Sequence, residues 1–151
     1  MSTTPNALAR HNVKVIGDTG AARTMLFAHG FGCDQGMWSR VVPAFADTHR
    51  IVLMDYVGAG GTDPAHYNPV RHGSLSGYAQ DVLEVMEALD LRDTVFVGHS
   101  VSAMVGVLAS IAQPARFSKL VLIGPSPCYV DDGDYVGGFQ RADIDGLLDL
   151  I

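Results

Sequence analysis

The chain has 151 residues, 48% hydrophobic and 17% charged, which suits one domain with a sizeable buried core and excludes a disordered chain. A formal net charge of −6 leaves no basic footprint for nucleic acid. The two cysteines, Cys33 and Cys128, match neither a metal spacing nor a disulfide framework and read as reduced thiols of a cytoplasmic protein.

Met1 to Asn12 has no apolar centre of the kind a secretory signal needs. The longest apolar stretch, Val101 to Ala112, falls short of the roughly 20 residues of a membrane span. A soluble protein with no membrane partner is expected.

In chain order, Asn12 to Gly17 alternates weakly and ends in Gly-Asp-Thr-Gly, a first strand and turn. Thr24 to Ala28 is continuously apolar, the mark of a strand buried on both faces. It breaks into His29-Gly30-Phe31-Gly32. Asp34 then caps a short amphipathic helix with Met37, Trp38, Val41, Val42 and Phe45 on its inner side. Arg50 to Asp55 is a second buried strand, followed by a glycine-rich loop at Gly58, Gly60 and Gly61. Neither a dinucleotide fingerprint nor a P-loop fits those glycines, which read as a tight turn.

Ser76 to Leu89 has helical period, Thr94 to Gly98 is a strand, and Val101 to Ala112 is a helix. Lys119 to Gly124 reads as another buried strand. Residues 125–132 are irregular, and Asp143 to Ile151 has the look of a helix beginning. Apolar strands alternating with helices predict an α/β fold, a mostly parallel sheet with helices on both faces.

The chemistry centres on Gly98-His99-Ser100-Val101-Ser102. A strand running into a helix through a serine between small residues is the pattern of a nucleophile elbow. The position two after the serine is usually glycine. Ser102 is a mild departure that still keeps the site small.

Ser100 is therefore the candidate nucleophile, and the Val101 N–H is one candidate oxyanion donor. Phe31, in the glycine-flanked loop after a strand expected beside the elbow strand, is the other. The six histidines are His11, His29, His49, His66, His72 and His99, and none follows Ser100. A serine of this kind takes its acid and then its histidine from later in the chain. By strand alternation His99 points away and packs, and His29 and Asp55 shape their loops. No metal or organic cofactor is expected of this chemistry.

Longer blocks carry a resemblance. They are His11 to Gly17, His29-Gly30-Phe31-Gly32 with Asp34, Gln35 and Trp38, Gly98 to Met104 with Gly106 to Ser110, and Ser126-Pro127 with Tyr129. Asp134-Tyr135 and Gly137-Gly138-Phe139 continue it. From about His11 onward the chain resembles the α/β-hydrolase group that contains the bacterial stress-response regulator RsbQ and the plant strigolactone and karrikin receptors. Ser102, unusual among hydrolases at large, looks normal for this group.

The resemblance implies residues 1–124 as the N-terminal part of a hydrolase core and 125–151 as the start of a helical lid, with the rest of lid and core absent. It implies Ser100 as nucleophile, Phe31 and Val101 at the oxyanion, and an apolar pocket lined by Phe31, Tyr129 and Phe139. The triad acid and base would lie outside this chain, leaving the fragment inactive by itself and prone to associate along an open strand edge. The expected substrate is a small apolar ester or lactone, and the resemblance implies a place within stress-response signalling. The alternative is a catalytically silent ligand-binding or signalling module that works through a regulatory protein partner.

Overall fold

The computed structural model describes residues 7–149. Five strands form one sheet: β1 (Lys14–Gly17), β2 (Thr24–Ala28), β3 (Arg50–Met54), β4 (Thr94–His99) and β5 (Phe117–Ile123). Their order is β1-β3-β2-β4-β5, with β1 antiparallel to β3 and every other pair parallel. The helices are α1 (Ala7–Arg10), α2 (Leu75–Ala88), α3 (Val101–Ala112) and α4 (Arg141–Leu148). Among the described residues no helix is long and apolar enough to cross a membrane.

The apolar runs become central strands because alternate side chains enter two separate cores. Leu26, Ala28, Val52, Met54 and Phe96 pack against Val82, Val85 and Met86 of α2 and against Val105 and Ala109 of α3. On the opposite face Met25, Phe27, Ile51, Leu53 and Val97 meet Trp38 and Val42, with the Phe27 and Trp38 rings 5.2 Å apart. The sheet order puts β2 beside β4, with Ala28 opposite Gly98. The loops leaving both strands thus start at the same level, and the site is assembled there.

Three sequence expectations need correction. The stretch after Asp34 is not one helix but two single 3₁₀ turns, Gln35–Trp38 and Val42–Ala44, and Val41 faces solvent. Pro43 explains the break, since it lacks an N–H and clashes with the carbonyl four residues earlier, so it fits only in the first turn of a new segment. The expected buried strand at Lys119–Gly124 is β5, an edge strand with Val121 and Ile123 each 41% exposed. Its apolar run is real, but among the described residues nothing pairs with its outer edge. The last helix is Arg141–Leu148, begun by a capping box between Gln140 and Asp143. Residues 150–151 of the expected helix lie outside the described residues.

Candidate active site

Ser100 joins β4 to α3 with φ 56° and ψ −120°, a left-handed conformation that strains any residue but glycine. Two backbone bonds hold the turn: Ser100 N–H donates to the Ile123 carbonyl at 2.8 Å, and Ala103 N–H to the Ser100 carbonyl at 2.9 Å. The need for a small residue before the serine is steric. A Cβ on Gly98 would stand 2.5 Å from the Ser102 carbonyl oxygen and 2.8 Å from Cε1 of Phe96. Val101 is the first residue of α3, so its N–H has no acceptor within the helix and points out of its N-terminus.

The loop after β2 closes on this turn. A Cβ on Gly30 would meet His99 Nδ1 at 2.5 Å and the Cβ of Ser100 at 3.4 Å, so only glycine allows the approach. The Gly30 carbonyl accepts from Cys33 N–H at 3.2 Å and pairs with His29 Nδ1 at 2.8 Å. His29 Nε2 accepts from Tyr56 N–H at 3.1 Å, so the ring proton sits on Nδ1 and is donated to Gly30. Both ring nitrogens are engaged in holding the loop. Because the Gly30–Phe31 peptide is trans, its N–H points opposite to the carbonyl that His29 holds.

Asp55, buried at the end of β3, anchors the neighbouring loops. It accepts from Gln35 N–H at 2.8 Å, Asn12 Nδ2 at 2.7 Å and Gly61 N–H at 2.9 Å. Burial pushes its carboxyl up, but these hydrogen bonds outweigh burial and hold it below the ordinary carboxylate value. The glycine-rich loop is a wrapping around this carboxylate, since a Cβ on Gly60 would collide with it.

A cavity of about 880 Å³ opens above these elements, lined among others by Phe31, Cys33, Met37, Val57, Leu75, Tyr78, Val101 and Val105. Of the expected pocket aromatics, Phe31 lines it. Tyr129 does not line it, but places its hydroxyl 3.4 Å from Ser100 Oγ. Phe139 does not line the cavity. It pins Tyr129 through the backbone instead: Phe139 N–H donates to the Tyr129 carbonyl and Asp131 N–H to the Phe139 carbonyl. Among the described residues no histidine hydrogen-bonds Ser100 Oγ, and Nδ1 of His99 is buried without a partner.

An ionic cluster is built around the buried Asp81 of α2, which meets Arg71, His72 and His11, while the partly exposed Glu84 meets Arg10 and Arg71. His11, Asp81 and Glu84 converge closely enough to suggest metal ligands. Arg10 and Arg71 already supply the positive charge there, so the cluster is complete as an ion-pair network tying the N-terminal segment and residues 71–72 to α2. Burial lowers the His11 pKa despite the opposing pull of Asp81.

The sequence pattern missed Tyr56 and the use made of Ser102. Ser102 Oγ, fully buried, bonds both the His29 carbonyl and the Tyr56 hydroxyl, the latter at 2.9 Å. Its appearance where glycine is usual was the one available signal.

The sequence model of the alpha/beta hydrolase fold family matches residues 23–149. The chain is 45% identical over 141 residues to a karrikin insensitive 2 receptor of Petunia hybrida, covering 93% of this chain and 52% of that protein. It is 44% identical over 143 residues to a strigolactone esterase of Arabidopsis thaliana, covering 95% and 53%. A solved hydrolase from Oleispira antarctica superposes with a TM-score of 0.91 at 41% identity, over 96% of this chain and 53% of that one. The chain spans about half the length of these relatives.

Proposed function

The chain belongs to the alpha/beta hydrolase fold family, and from that premise we propose that it carries the nucleophile and oxyanion half of a serine esterase or lactonase site. The observation that carries this reading is the strained left-handed backbone of Ser100 at the β4–α3 turn, with Gly30 packed close against it. Ser100 Oγ attacks the carbonyl carbon of a small apolar ester or lactone, and its proton leaves to a base. The oxyanion is held by the Phe31 and Val101 N–H groups. The intermediate collapses by breaking the acyl C–O bond, the leaving oxygen takes up a proton, and water then hydrolyses acyl-Ser100. No metal or cofactor enters these steps.

The histidine base and its acid belong, in this reading, to the further length that the relatives possess. A preformed oxyanion site retains roughly 10³–10⁴-fold acceleration when a triad member is missing, so slow acylation by an activated ester is still expected. The test is exposure of the chain and of Ser100→Ala to p-nitrophenyl acetate, read by intact mass. An acetyl adduct on the unsubstituted chain that vanishes in Ser100→Ala supports the reading, and equal labelling of both overturns it.

One observation favours a second reading, a ligand-binding or signalling module acting through a protein partner. Among the described residues Ser100 Oγ faces the Tyr129 hydroxyl and no histidine. Relatives named as receptors support this reading too. It predicts binding of an apolar lactone that is unchanged by Ser100→Ala, with no adduct on either protein.

A further inference from the structure

The hydroxyl at position 102 is redundant if the elbow requires only a small residue there, yet its two hydrogen bonds reach other elements. A serine hydroxyl has one proton. The His29 carbonyl can only accept, so Ser102 donates to it, and the Tyr56 hydroxyl must donate to Ser102 Oγ. Burial keeps the Tyr56 phenol protonated and able to serve as that donor. Tyr56 also supplies the N–H that sets the His29 tautomer, and His29 in turn holds the Gly30 carbonyl. The bonds form a closed circuit. It runs from Tyr56 through Ser102 to the His29 carbonyl, and from Tyr56 N–H through the imidazole to the Gly30–Phe31 peptide. His29, Tyr56 and Ser102 are all buried, so water does not compete for these bonds.

We propose that Ser102 and Tyr56 are positioning residues that aim the Phe31 N–H at the oxyanion, locking the loop after β2 to the first turn of α3. Ser102 fixes the peptide on one side of Gly30 and His29 the peptide on the other, leaving the glycine no free rotation. Glycine at position 102 would satisfy the steric demand and lose the lock. The proposal rests on Phe31 N–H being an oxyanion donor, as set out above.

The experiment compares the unsubstituted chain with Ser102→Ala and Tyr56→Phe in two ways. The first is NMR of the His29 Nδ1–H and Phe31 N–H signals, which needs no turnover. The second is the rate of Ser100 acetylation as a function of p-nitrophenyl acetate concentration. In Ser102→Ala the imidazole proton should exchange faster and the Phe31 amide signal should shift or broaden. The saturating acetylation rate should fall about tenfold, less than the roughly hundredfold or more for deleting an oxyanion donor outright. The half-saturating concentration should move less than about twofold, because aiming an oxyanion donor acts on the transition state rather than on substrate binding.

Tyr56→Phe removes one hydroxyl and should give a smaller change of the same kind; it carries the test if Ser102→Ala fails to fold. Unchanged His29 and Phe31 signals in a folded variant overturn the proposal, as does a loss confined to half-saturation. If the unsubstituted chain shows no Ser100 adduct, the nucleophile reading fails by itself. The NMR signals then decide separately whether Ser102 and Tyr56 orient the loop.

Discussion

Replacing Asp55 with alanine tests the anchor on which three loops converge. The carboxylate accepts three hydrogen bonds, two from backbone N–H groups and one from the Asn12 amide. Bonds to a charged acceptor contribute about 1.5–3 kcal/mol each, and a buried donor stranded without a partner costs about 1–3 kcal/mol. The donors do not all stay stranded, since Asn12 and Gly61 lie partly at the surface and water can reach them. The alanine also removes the desolvation cost of the carboxylate. We expect a net loss of about 3 kcal/mol at pH 7, a large share of the roughly 5–15 kcal/mol that stabilises a typical domain.

The pH dependence has a definite sign. The folded pKa of Asp55 is held below its unfolded value of 3.8, so the unfolded chain takes up the proton first as pH falls. Its contribution is complete above that value and is lost as pH drops below about 4 towards the folded pKa. Urea unfolding of both proteins from pH 7 to pH 3 should therefore show curves that converge at the acid end. A loss under about 1 kcal/mol at pH 7, or a gap that stays constant down to pH 3, would refute the argument, because the three bonds require an ionised acceptor.

Two further outcomes follow from packing. Gly98→Ala places a methyl against the Ser102 carbonyl and Phe96, which should cost about 1–3 kcal/mol in thermal or urea unfolding. The same displacement of the first turn of α3 should slow Ser100 acetylation; unchanged stability and rate would mean the turn has slack that the geometry denies. Along the β5 edge, exposed Val121 and Ile123 should drive concentration-dependent association in sedimentation, and Val121→Lys should reduce it. A monomer at every concentration without the substitution would count against that edge as an association surface.

Much of this molecule is legible in its sequence because the relevant signals are local. Continuous apolar runs at Met25–Ala28 and Ile51–Met54 can be satisfied only by strands buried on both faces, and both are. Gly98, Ser100 and the apolar helix after them forecast a strained turn within five residues, and the backbone of Ser100 has that strain. Periodicity misjudged the segment after Asp34, where Pro43 and the short loop impose 3₁₀ turns on a helical pattern. The reading of Lys119–Gly124 as buried missed the exposure of Val121 and Ile123, which comes with the open edge expected of this strand.

What only the tertiary structure decided are contacts between positions far apart in the chain. Ser102 meets Tyr56 across 46 positions and His29 across 73, and these meetings exist because the sheet order places β2 between β3 and β4. A serine in place of glycine is, in sequence, just another small residue. Its hydroxyl acquires a task once folding brings a buried carbonyl and a buried phenol to it, in surroundings where an unpaired polar group is costly. The same holds for Tyr129 at Ser100 and for Phe139, which pins Tyr129 from outside the cavity. Local patterning determined which segments form strands and helices and where the serine turns. The order of the strands determined which side chains face that serine, because order is set by packing across the whole sheet rather than by any one window of sequence.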